Sequence, residues 1–235
     1  QGQMAQWVHH MNHRCTTILA VDVPSGLHAN TGAFCDMGGE AKDTMRMCVR
    51  AHHTLSLLTL KPGLFTAHGR DCAGQVWLAS LEVDATGLTA EAVLAGLPPP
   101  AGYLHASHKG TRGDVGVLGG APSMTGAALL AASAALHAGA GRVMVSLLDK
   151  NPIGVDLQQP ELMMRPYPQL PIATLTLVCG CGGGDAIAAV LGDVMARAPR
   201  LVLDADALNA IAADPSLKSQ LIQRGTTQAT ILTPN

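Results

Sequence analysis

The sequence predicts an α/β fold in which helices cover parallel β-sheets. In its second half, short apolar runs with the character of buried strands alternate with segments of helical periodicity. Hydrophobic residues make up 48% of the 235 residues, whereas charged residues make up only 14% and aromatic residues 3%. Such a composition, rich in alanine and glycine, is typical of helices that pack closely on a buried sheet. Several apolar runs end in glycine or aspartate, which favour tight turns at strand ends.

The first part of the chain contains three predicted strands and then a proline-rich break. The strands are expected at residues 17–23, 54–60 and 75–81. Residues 28–53 show no sustained periodicity, and residues 88–97 are expected to form a short helix or a loop. The sequence AGLPPPAG at 95–102 cannot continue a helix or a central strand. We therefore place a domain boundary there and expect domains at residues 1–98 and 99–235.

After the boundary, predicted strands and helices alternate regularly. Strands are expected at residues 115–118, 142–146, 175–179, 201–203 and 230–233, and helices at residues 125–138, 185–198, 207–213 and 216–224. This alternation indicates βαβ units, whose strands run parallel and whose ligands bind beyond the carboxyl ends of the strands. The loops that follow the strands are therefore the predicted sites of function.

Two glycine-rich turns follow predicted strands of this second domain. In the first, Gly119 and Gly120 lead to the sequence TGA at 125–127, where a helix is expected to begin. Free backbone N–H groups and the positive end of the helix dipole favour an anion there, such as a ligand phosphate. The second turn, CGCGGGD at 179–185, lies on the same sheet and is expected to face the same crevice. Neither turn matches the dinucleotide fingerprint or a Walker A loop, and a tight turn without a ligand is the alternative.

Acidic residues follow two other predicted strands. The sequence VDVPSGL places Asp22 at a strand end and Ser25 in the turn after it. Such a carboxylate can bind a sugar hydroxyl, and a serine oxygen can help to coordinate a cation; the alternative for Asp22 is that it caps its own turn. The sequence LVLDADALNAI ends a strand in Asp204 and puts Asp206 in the next turn. These two carboxylates can hold Mg²⁺ beside phosphates or cap the helix, and the cap is the preferred interpretation of Asp206.

Composition excludes several classes of function. The formal net charge is −2 and no basic run interleaves with aromatic residues, so nucleic acid is not an expected partner. No apolar stretch approaches the roughly 20 residues that span a bilayer, so no membrane association is expected. The histidine pairs His9/His13 and His105/His108 have no carboxylate or cysteine companion at ligand spacing and are assigned no metal. The six cysteines form no CxxC pair and are interpreted as buried residues of a protein in the reducing cytoplasm. They are Cys15, Cys35, Cys48, Cys72, Cys179 and Cys181.

These motifs together resemble one protein family over nearly the whole chain. VDVPSGLHANTG and LTLKPGLFTAHGRDCAGQVWLASL are similar to the last third of the NAD(P)H-hydrate epimerase domain. HKGTRGDVGVLGG, TGAALLAASAALHAGAGRVMV, QQPELM, CGCGGGD, LVLDADALNAIA and ILTPN, in that order, are similar to the first half of the ADP- or ATP-dependent NAD(P)H-hydrate dehydratase domain. The resemblance is thus to the bifunctional NAD(P)H-hydrate repair enzymes. It implies the C-terminal part of a Rossmann-like epimerase domain, followed by the N-terminal half of a ribokinase-like parallel-sheet domain, in an internal fragment of a longer enzyme.

The resemblance implies two reactions and assigns residues to each. The epimerase interconverts the R and S forms of hydrated NADH and NADPH; Asp22 is expected to contact the hydrated nucleotide and Ser25 to coordinate K⁺. The dehydratase uses ADP or ATP, with Mg²⁺, to phosphorylate the hydrate hydroxyl and then loses phosphate, which restores the nicotinamide. The resemblance makes Ala127 and Gly184 expected substrate contacts. The glycine turns and the strand end add Gly182 as a substrate contact and Gly119, Gly120 and Asp204 as contacts to the nucleotide co-substrate. A homo-oligomer is expected.

The sequence also departs from the family pattern. Cys181 stands where the family has proline, and the Gly-Thr-Gly-Asp turn that carries the family's catalytic aspartate does not occur in the sequence. We therefore expect that residues 1–235 alone do not repair hydrated NADPH. Two alternatives stay open. One is a ribokinase-like small-molecule kinase, which the glycine turns fit but VDVPSGL does not; the other is a non-catalytic nucleotide-binding module.

Overall fold

The computed structural model describes residues 3–13, 17–35, 48–97, 102, 104–225 and 227–234. The chain folds into two compact units, residues 1–98 and 99–235. Every pairing between the named strands of the described residues is parallel, which confirms the predicted α/β class. Three of the features singled out in the sequence lie outside the described residues. They are Cys15, part of the loop at 36–47 and the prolines at 98–100.

The first unit is built on a three-stranded sheet in the order β1-β2-β3. Its elements are α1 (Gln3–Asn12), β1 (Leu19–Val21), β2 (His53–Leu57), α2 (Gly69–Cys72) and β3 (Gln75–Ala79). β1 and β2 end earlier than predicted, because Asp22 (φ 70°) and Leu58 (φ 65°) leave the extended conformation. These two residues therefore begin the loops at the carboxyl edge of the sheet. Residues 88–97 form a loop.

Close backbone contacts tie the loop after β1 to the loop after β2. The N–H of Gly63 donates to the carbonyl of Ala29 at 2.6 Å. A Cβ atom built on Gly63 would lie 2.2 Å from the carbonyl oxygen of His28, so only glycine fits between these backbones. Beneath the loops lies a cluster of buried side chains, whose members are Leu27, Cys48, Leu64, Cys72 and Ala73. The loop that follows Asp22 is thus fixed to the segment after β2.

Replacing Gly63 with alanine is expected to destabilise the first unit by about 1–3 kcal/mol, because the new methyl group overlaps backbone that cannot move aside. Both tryptophans, Trp7 and Trp77, lie in this unit, so their fluorescence during denaturant unfolding measures its stability alone. Gly87→Ala is the matched control, since nothing lies within 4 Å of a Cβ atom built there. Equal unfolding midpoints for the two variants would contradict this steric explanation.

The second unit is built on a six-stranded parallel sheet in the order β6-β5-β4-β7-β8-β9. Its strands are β4 (Asp114–Gly119), β5 (Arg142–Leu147), β6 (Met163–Met164), β7 (Thr176–Cys179), β8 (Arg200–Asp204) and β9 (Ala229–Thr233). Its helices are α3 (Thr125–His137), α4 (Ala188–Arg197), α5 (Ala205–Ala213) and α6 (Pro215–Gly225). Every strand and helix predicted after the boundary is present. Two features differ from the prediction: β6 was not expected, and the helix expected from residue 185 begins as a 3₁₀ turn, Gly184–Ile187, before α4.

Helices cover both faces of this sheet. One cluster of buried side chains joins Leu118 and its neighbours to α4 and α5, and a second joins Val117 and its neighbours to α3. Val117 and Leu118 belong to different clusters because successive side chains of a strand point to opposite faces. No helix within the described ranges is both long and apolar enough to cross a membrane.

The strand order changes direction at β4. β5 and β6 lie on one side of it, and β7, β8 and β9 lie on the other. In an open parallel sheet, ligands bind at such a reversal, beyond the carboxyl ends of the strands. The loops that follow β4 and β7 leave the sheet at this point, and they are the two glycine-rich turns of the sequence.

Candidate functional site

The two glycine-rich turns of the second unit bind each other through their backbones. The N–H of Gly120 donates to the carbonyl of Cys181 at 3.0 Å, and the N–H of Ala121 donates to that of Gly182 at 2.7 Å. A Cβ atom built on Gly119 would lie 2.3 Å from the carbonyl oxygen of Cys181, so a larger residue would push the turns apart. The two turns therefore lie together, and the shared crevice expected from the sequence stays a prediction.

The expectation of free N–H groups in the first turn is wrong for Gly120 and Ala121, because their N–H groups hold the second turn. The available donors lie one turn further on. The N–H groups of Thr125 and Gly126, at the start of α3, donate to no other described residue. Met124 precedes them and its side chain does not cap the helix. An anion at this edge of the sheet would therefore meet the start of α3 rather than the glycine turn itself.

Two predicted glycines of the second turn lie against residues 121–127, and Gly182 is the one that lies beside Ala127. Gly182 has a φ of 59°, and a Cβ atom built on it would lie 2.9 Å from the Cβ of Ala127 and 2.7 Å from the carbonyl oxygen of Met124. Gly184 has a φ of 52°, and a Cβ atom built there would lie 3.3 Å from the Cβ of Ala121. Gly182 thus needs glycine for its conformation and its contacts, whereas Gly184 needs it for its conformation. The structure brings together residues that the sequence places far apart.

Asp204 joins the same edge from the end of β8. Its carboxylate accepts a hydrogen bond from the hydroxyl of Thr233, the last residue of β9, at 2.7 Å. The Cys181 thiol is its second partner. Burial, and then the hydrogen bond to Asp204, raises the pKa of this thiol to about 12, so it stays protonated and donates. The cysteine that departs from the family pattern thus contacts a predicted site residue.

Asp206 does not act as the helix cap that the sequence favoured. Its carboxylate accepts a hydrogen bond from the N–H of Gly184 at 2.8 Å, across 22 positions of sequence. The N-cap position of α5 belongs to Asp204, whose side chain makes no capping hydrogen bond. Asp206 therefore fixes the second glycine turn to the start of α5, and it holds the residue that is expected to contact the substrate.

Replacing Asp206 with alanine is expected to speed amide hydrogen exchange at Gly184 by about tenfold or more, because a charge-assisted bond is lost. Asp206→Asn keeps an acceptor oxygen and should give a smaller change. Asp185→Ala is the control, since this carboxylate lies in the same turn but is exposed. The prediction fails if Gly184 exchanges at the same rate in Asp206→Ala as in the control.

In the first unit, Asp22 is held at the carboxyl edge of the sheet by backbone and side-chain contacts. Its N–H donates to the carbonyl of Leu55 at 2.7 Å, so the backbone of Asp22 stays attached to β2. Its Oδ1 accepts from the N–H of Leu57 at 3.0 Å and from the Lys61 ammonium. The Lys61 ammonium, and then the Leu57 amide, hold the pKa of the Asp22 carboxyl below its ordinary value. Asp22 is therefore an oriented, ionised carboxylate.

Lys61 was missed by the sequence analysis, which ended a strand at residue 60 and gave the lysine after it no role. Its ammonium also donates to the carbonyl of Leu57 at 2.6 Å. The signal in the sequence was that both residues lie at the ends of predicted strands; the structure adds that these two strands pair and so end at the same edge. The pair therefore forms where a ligand is expected.

Ser25 lies three positions after Asp22, in an exposed turn. Its carbonyl accepts from the N–H of Val49 at 2.9 Å, which fixes the turn. Its hydroxyl makes no hydrogen bond to another described residue. An exposed hydroxyl close in sequence to an ionised carboxylate has the oxygen chemistry that an alkali cation requires, and coordination of K⁺ by Ser25 stays a prediction.

Two protein-family models match the chain, one in each unit. The model of the NAD(P)H-hydrate dehydratase family matches residues 115–235. The model described as YjeF-related protein N-terminus matches residues 1–63. The matches occur in the order that the resemblance of the motifs implies, and they cover the loops of both candidate sites.

Curated relatives agree with the family models. The chain is 33% identical over 231 residues to the bifunctional NAD(P)H-hydrate repair enzyme of Escherichia coli. This alignment covers 90% of this chain and 42% of that enzyme. It is 32% identical to the enzyme of the same name from Leishmania braziliensis, over 87% of this chain and 40% of that one. It is 37% identical over 136 residues to the ADP-dependent (S)-NAD(P)H-hydrate dehydratase of Neisseria meningitidis serogroup B, over 55% of this chain and 45% of that one. The chain thus spans about two-fifths of the length of the bifunctional relatives. With the match over residues 115–235, these findings show that the chain belongs to the NAD(P)H-hydrate dehydratase family, with a YjeF-related segment before it.

Proposed function

We propose that this chain is part of a bifunctional enzyme that repairs hydrated NADH and NADPH. The observation that carries the proposal is the presence of both family segments, in this order, in one chain. The named activities of the relatives support the same pair of reactions. A small-molecule kinase would account for the second unit but would leave the ionised Asp22 of the first unit without a role.

In the second unit, we assign the dehydration of the S hydrate with ADP or ATP as phosphoryl donor. Phosphoryl transfer depends on positioning and on neutralising the charge of the phosphates. The N–H groups of Thr125 and Gly126 are suited to a phosphate, and we assign Ala127, Gly182 and Gly184 to the wall that would face the hydrated nucleotide; the close approach of Gly182 to Ala127 supports this. Gly119 and Gly120 hold that wall in place and lie beside the proposed nucleotide site.

Magnesium would be held in this site by Asp204, together with nucleotide phosphates and water. Mg²⁺ in such sites commonly takes one or two carboxylates, and the Asp206 carboxylate is already bound to the N–H of Gly184. When bound, the ion would neutralise negative charge on the phosphates. Thr233 and Cys181 keep the Asp204 carboxylate at the strand ends.

In the first unit, we assign the interconversion of the R and S hydrates. Asp22 would contact the hydrated nucleotide, because its carboxylate is ionised, oriented and 45% exposed. Ser25 would hold K⁺ through its oxygen, and the ion would add positive charge near the carboxylate. This assignment uses the two residues that the motif VDVPSGL supplies.

We also propose a reducing, cytoplasmic location and a homo-oligomeric state. The five described cysteines form no disulfide, which supports the location. Apolar side chains of the first sheet are more than half exposed and could be covered by a second copy of the chain. They are Leu19, Val21 and Trp77.

The test of the proposed function uses the full-length gene product with purified R and S hydrates of NADPH. We expect recovery of the absorbance of reduced nicotinamide from the S hydrate only when ADP or ATP is supplied with Mg²⁺. We expect the R hydrate to convert to the S hydrate without any nucleotide. Chromatographic separation of the two forms measures this conversion. Failure of nucleotide to support recovery from the S hydrate would contradict the dehydratase assignment.

A further inference from the structure

Lys61 has contacts in the first unit that a solvent-facing lysine lacks. Its side chain is only 20% exposed, and its ammonium lies between the carboxylate of Asp22 and the carbonyl of Leu57. Burying an ammonium group costs free energy unless hydrogen bonds replace its water. Here both replacements come from the edge of the sheet where the hydrated nucleotide is proposed to bind. The contacts therefore tie the position of the lysine to that of Asp22.

The local sequence fixes Lys61 in this position. The residue before a proline is restricted to extended conformations, and Lys61 has φ −105° and ψ 129° before Pro62. A 3₁₀ turn, Pro62–Leu64, follows it directly. Gly63 of that turn is held by its close contact with the backbone of His28. Lys61 thus projects from a rigid segment rather than from a free loop end.

The contacts on Asp22 are asymmetric. Both the N–H of Leu57 and the ammonium of Lys61 bind Oδ1. Within the described ranges, Oδ2 receives no hydrogen bond, and the Asp22 side chain is 45% exposed. One oxygen of the carboxylate is therefore held by the protein and the other is left for a ligand.

Asp22 also has a backbone conformation that needs support. Its φ is 70°, in the left-handed region that residues other than glycine seldom occupy. Such a conformation persists where surrounding contacts hold it, and it is common in functional sites. The ring of contacts through Leu57 and Lys61 supplies that support.

We propose that Lys61 is a positioning residue of the epimerase site, which holds Oδ1 of Asp22 so that Oδ2 is presented to the hydrated nicotinamide nucleotide. The proposal rests on the proposed function of the first unit. It assigns Lys61 no contact with the reacting atoms: the lysine acts through Asp22. Its removal should therefore affect epimerisation and leave the dehydration of the S hydrate unchanged.

The experiment compares three variants of the full-length gene product, with the R hydrate of NADPH as the probe. Lys61→Met should lower kcat for epimerisation by about tenfold or more, with a smaller change in KM, because the carboxylate is no longer held. Lys61→Arg restores a cation and should recover most of the rate. Arg70→Met removes an exposed cation of the same unit and should leave the rate unchanged. Dehydration of the S hydrate by the same preparations is the internal control for the second unit, and tryptophan fluorescence during unfolding is the control for the fold of the first unit.

A double-mutant cycle separates positioning from a merely structural role. If Lys61 acts only through Asp22, Asp22→Asn with Lys61→Met should epimerise no more slowly than Asp22→Asn alone. Additive losses would overturn the inference, as would a wild-type rate for Lys61→Met. A fall in the unfolding midpoint that Lys61→Arg does not reverse, measured by tryptophan fluorescence, would also overturn it. Absence of epimerisation in the unsubstituted protein would instead reject the proposed function of the first unit.

Discussion

Asp22→Asn in the full-length gene product is expected to slow epimerisation of hydrated NADPH by roughly 10- to 100-fold, the loss of one charge-assisted hydrogen bond to the ligand. Dehydration of the S hydrate should continue at the unsubstituted rate. Asp22 belongs to the first unit, whereas the residues assigned to dehydration all belong to the second. The two rates are measured separately, as conversion of the R hydrate and as nucleotide-dependent recovery of absorbance.

The substitution is expected to spare the fold of the first unit. The Asp22 carboxylate is 45% exposed, and ion pairs of such exposure contribute about 0–1 kcal/mol to stability. The asparagine side chain of the variant would keep an oxygen that can accept from the N–H of Leu57. Asp71→Asn, which removes an exposed carboxylate from α2 of the same unit, is the matched control. Equal losses of both activities in Asp22→Asn would indicate misfolding and would remove the assigned role.

The architecture of the second unit could be predicted from the sequence because its strands, including the mostly exposed β9, are short apolar runs between helices. Buried parallel strands are continuous apolar runs, and helices between them have a distinct periodicity, so each element has a local signal. The exception is β6, Met163–Met164, which pairs with β5. Two residues are too few to form a recognisable hydrophobic pattern. This strand forms through its pairing with the free edge of β5.

The meeting of the glycine turns could also be predicted, since parallel strands end at the same edge. The hydrogen-bond partner of each backbone group in these turns could not be predicted. The N–H groups of Gly120 and Ala121 bind the second turn instead of an anion, because the two turns lie close enough to pair. Asp206 binds the N–H of Gly184, 22 positions away, whereas helix capping, the interpretation that the sequence favoured, is a local interaction. Contacts between segments that are distant in the sequence produce no local residue pattern from which they could be predicted.

Lys61 illustrates a different limit. The KPG sequence follows the strand expected at residues 54–60, and its proline and glycine drew attention to the turn rather than to the side chain of Lys61. The Lys61 ammonium contacts Asp22 because β1 and β2 are neighbours in the sheet. Hydrophobic periodicity predicts strands but does not establish their order in the sheet. Strand order, and not residue type, decides which charges meet.

Gly182→Ala is expected to slow dehydration of the S hydrate by about 100-fold or more while epimerisation of the R hydrate continues. A misplacement of the order of 1 Å at a positioning residue can cost about 100-fold in rate. The added Cβ would lie 2.7 Å from the carbonyl oxygen of Met124 and 2.9 Å from the Cβ of Ala127, so the turn or the start of α3 must move. The φ of 59° adds strain for any residue that carries a side chain.

The pattern of loss is the reverse of that for Asp22→Asn, so the two variants together test the division of labour between the units. Gly192→Ala is the matched control for the second unit: the nearest atom to a Cβ built there is the Gln220 side-chain oxygen at 3.8 Å, and alanine suits the interior of α4. Its dehydration rate should equal that of the unsubstituted protein. Normal dehydration by Gly182→Ala would show that the contact between Gly182 and Ala127 does not shape the substrate site. Loss of epimerisation as well as dehydration would indicate misfolding, as for Asp22→Asn, and would remove the role assigned to Gly182.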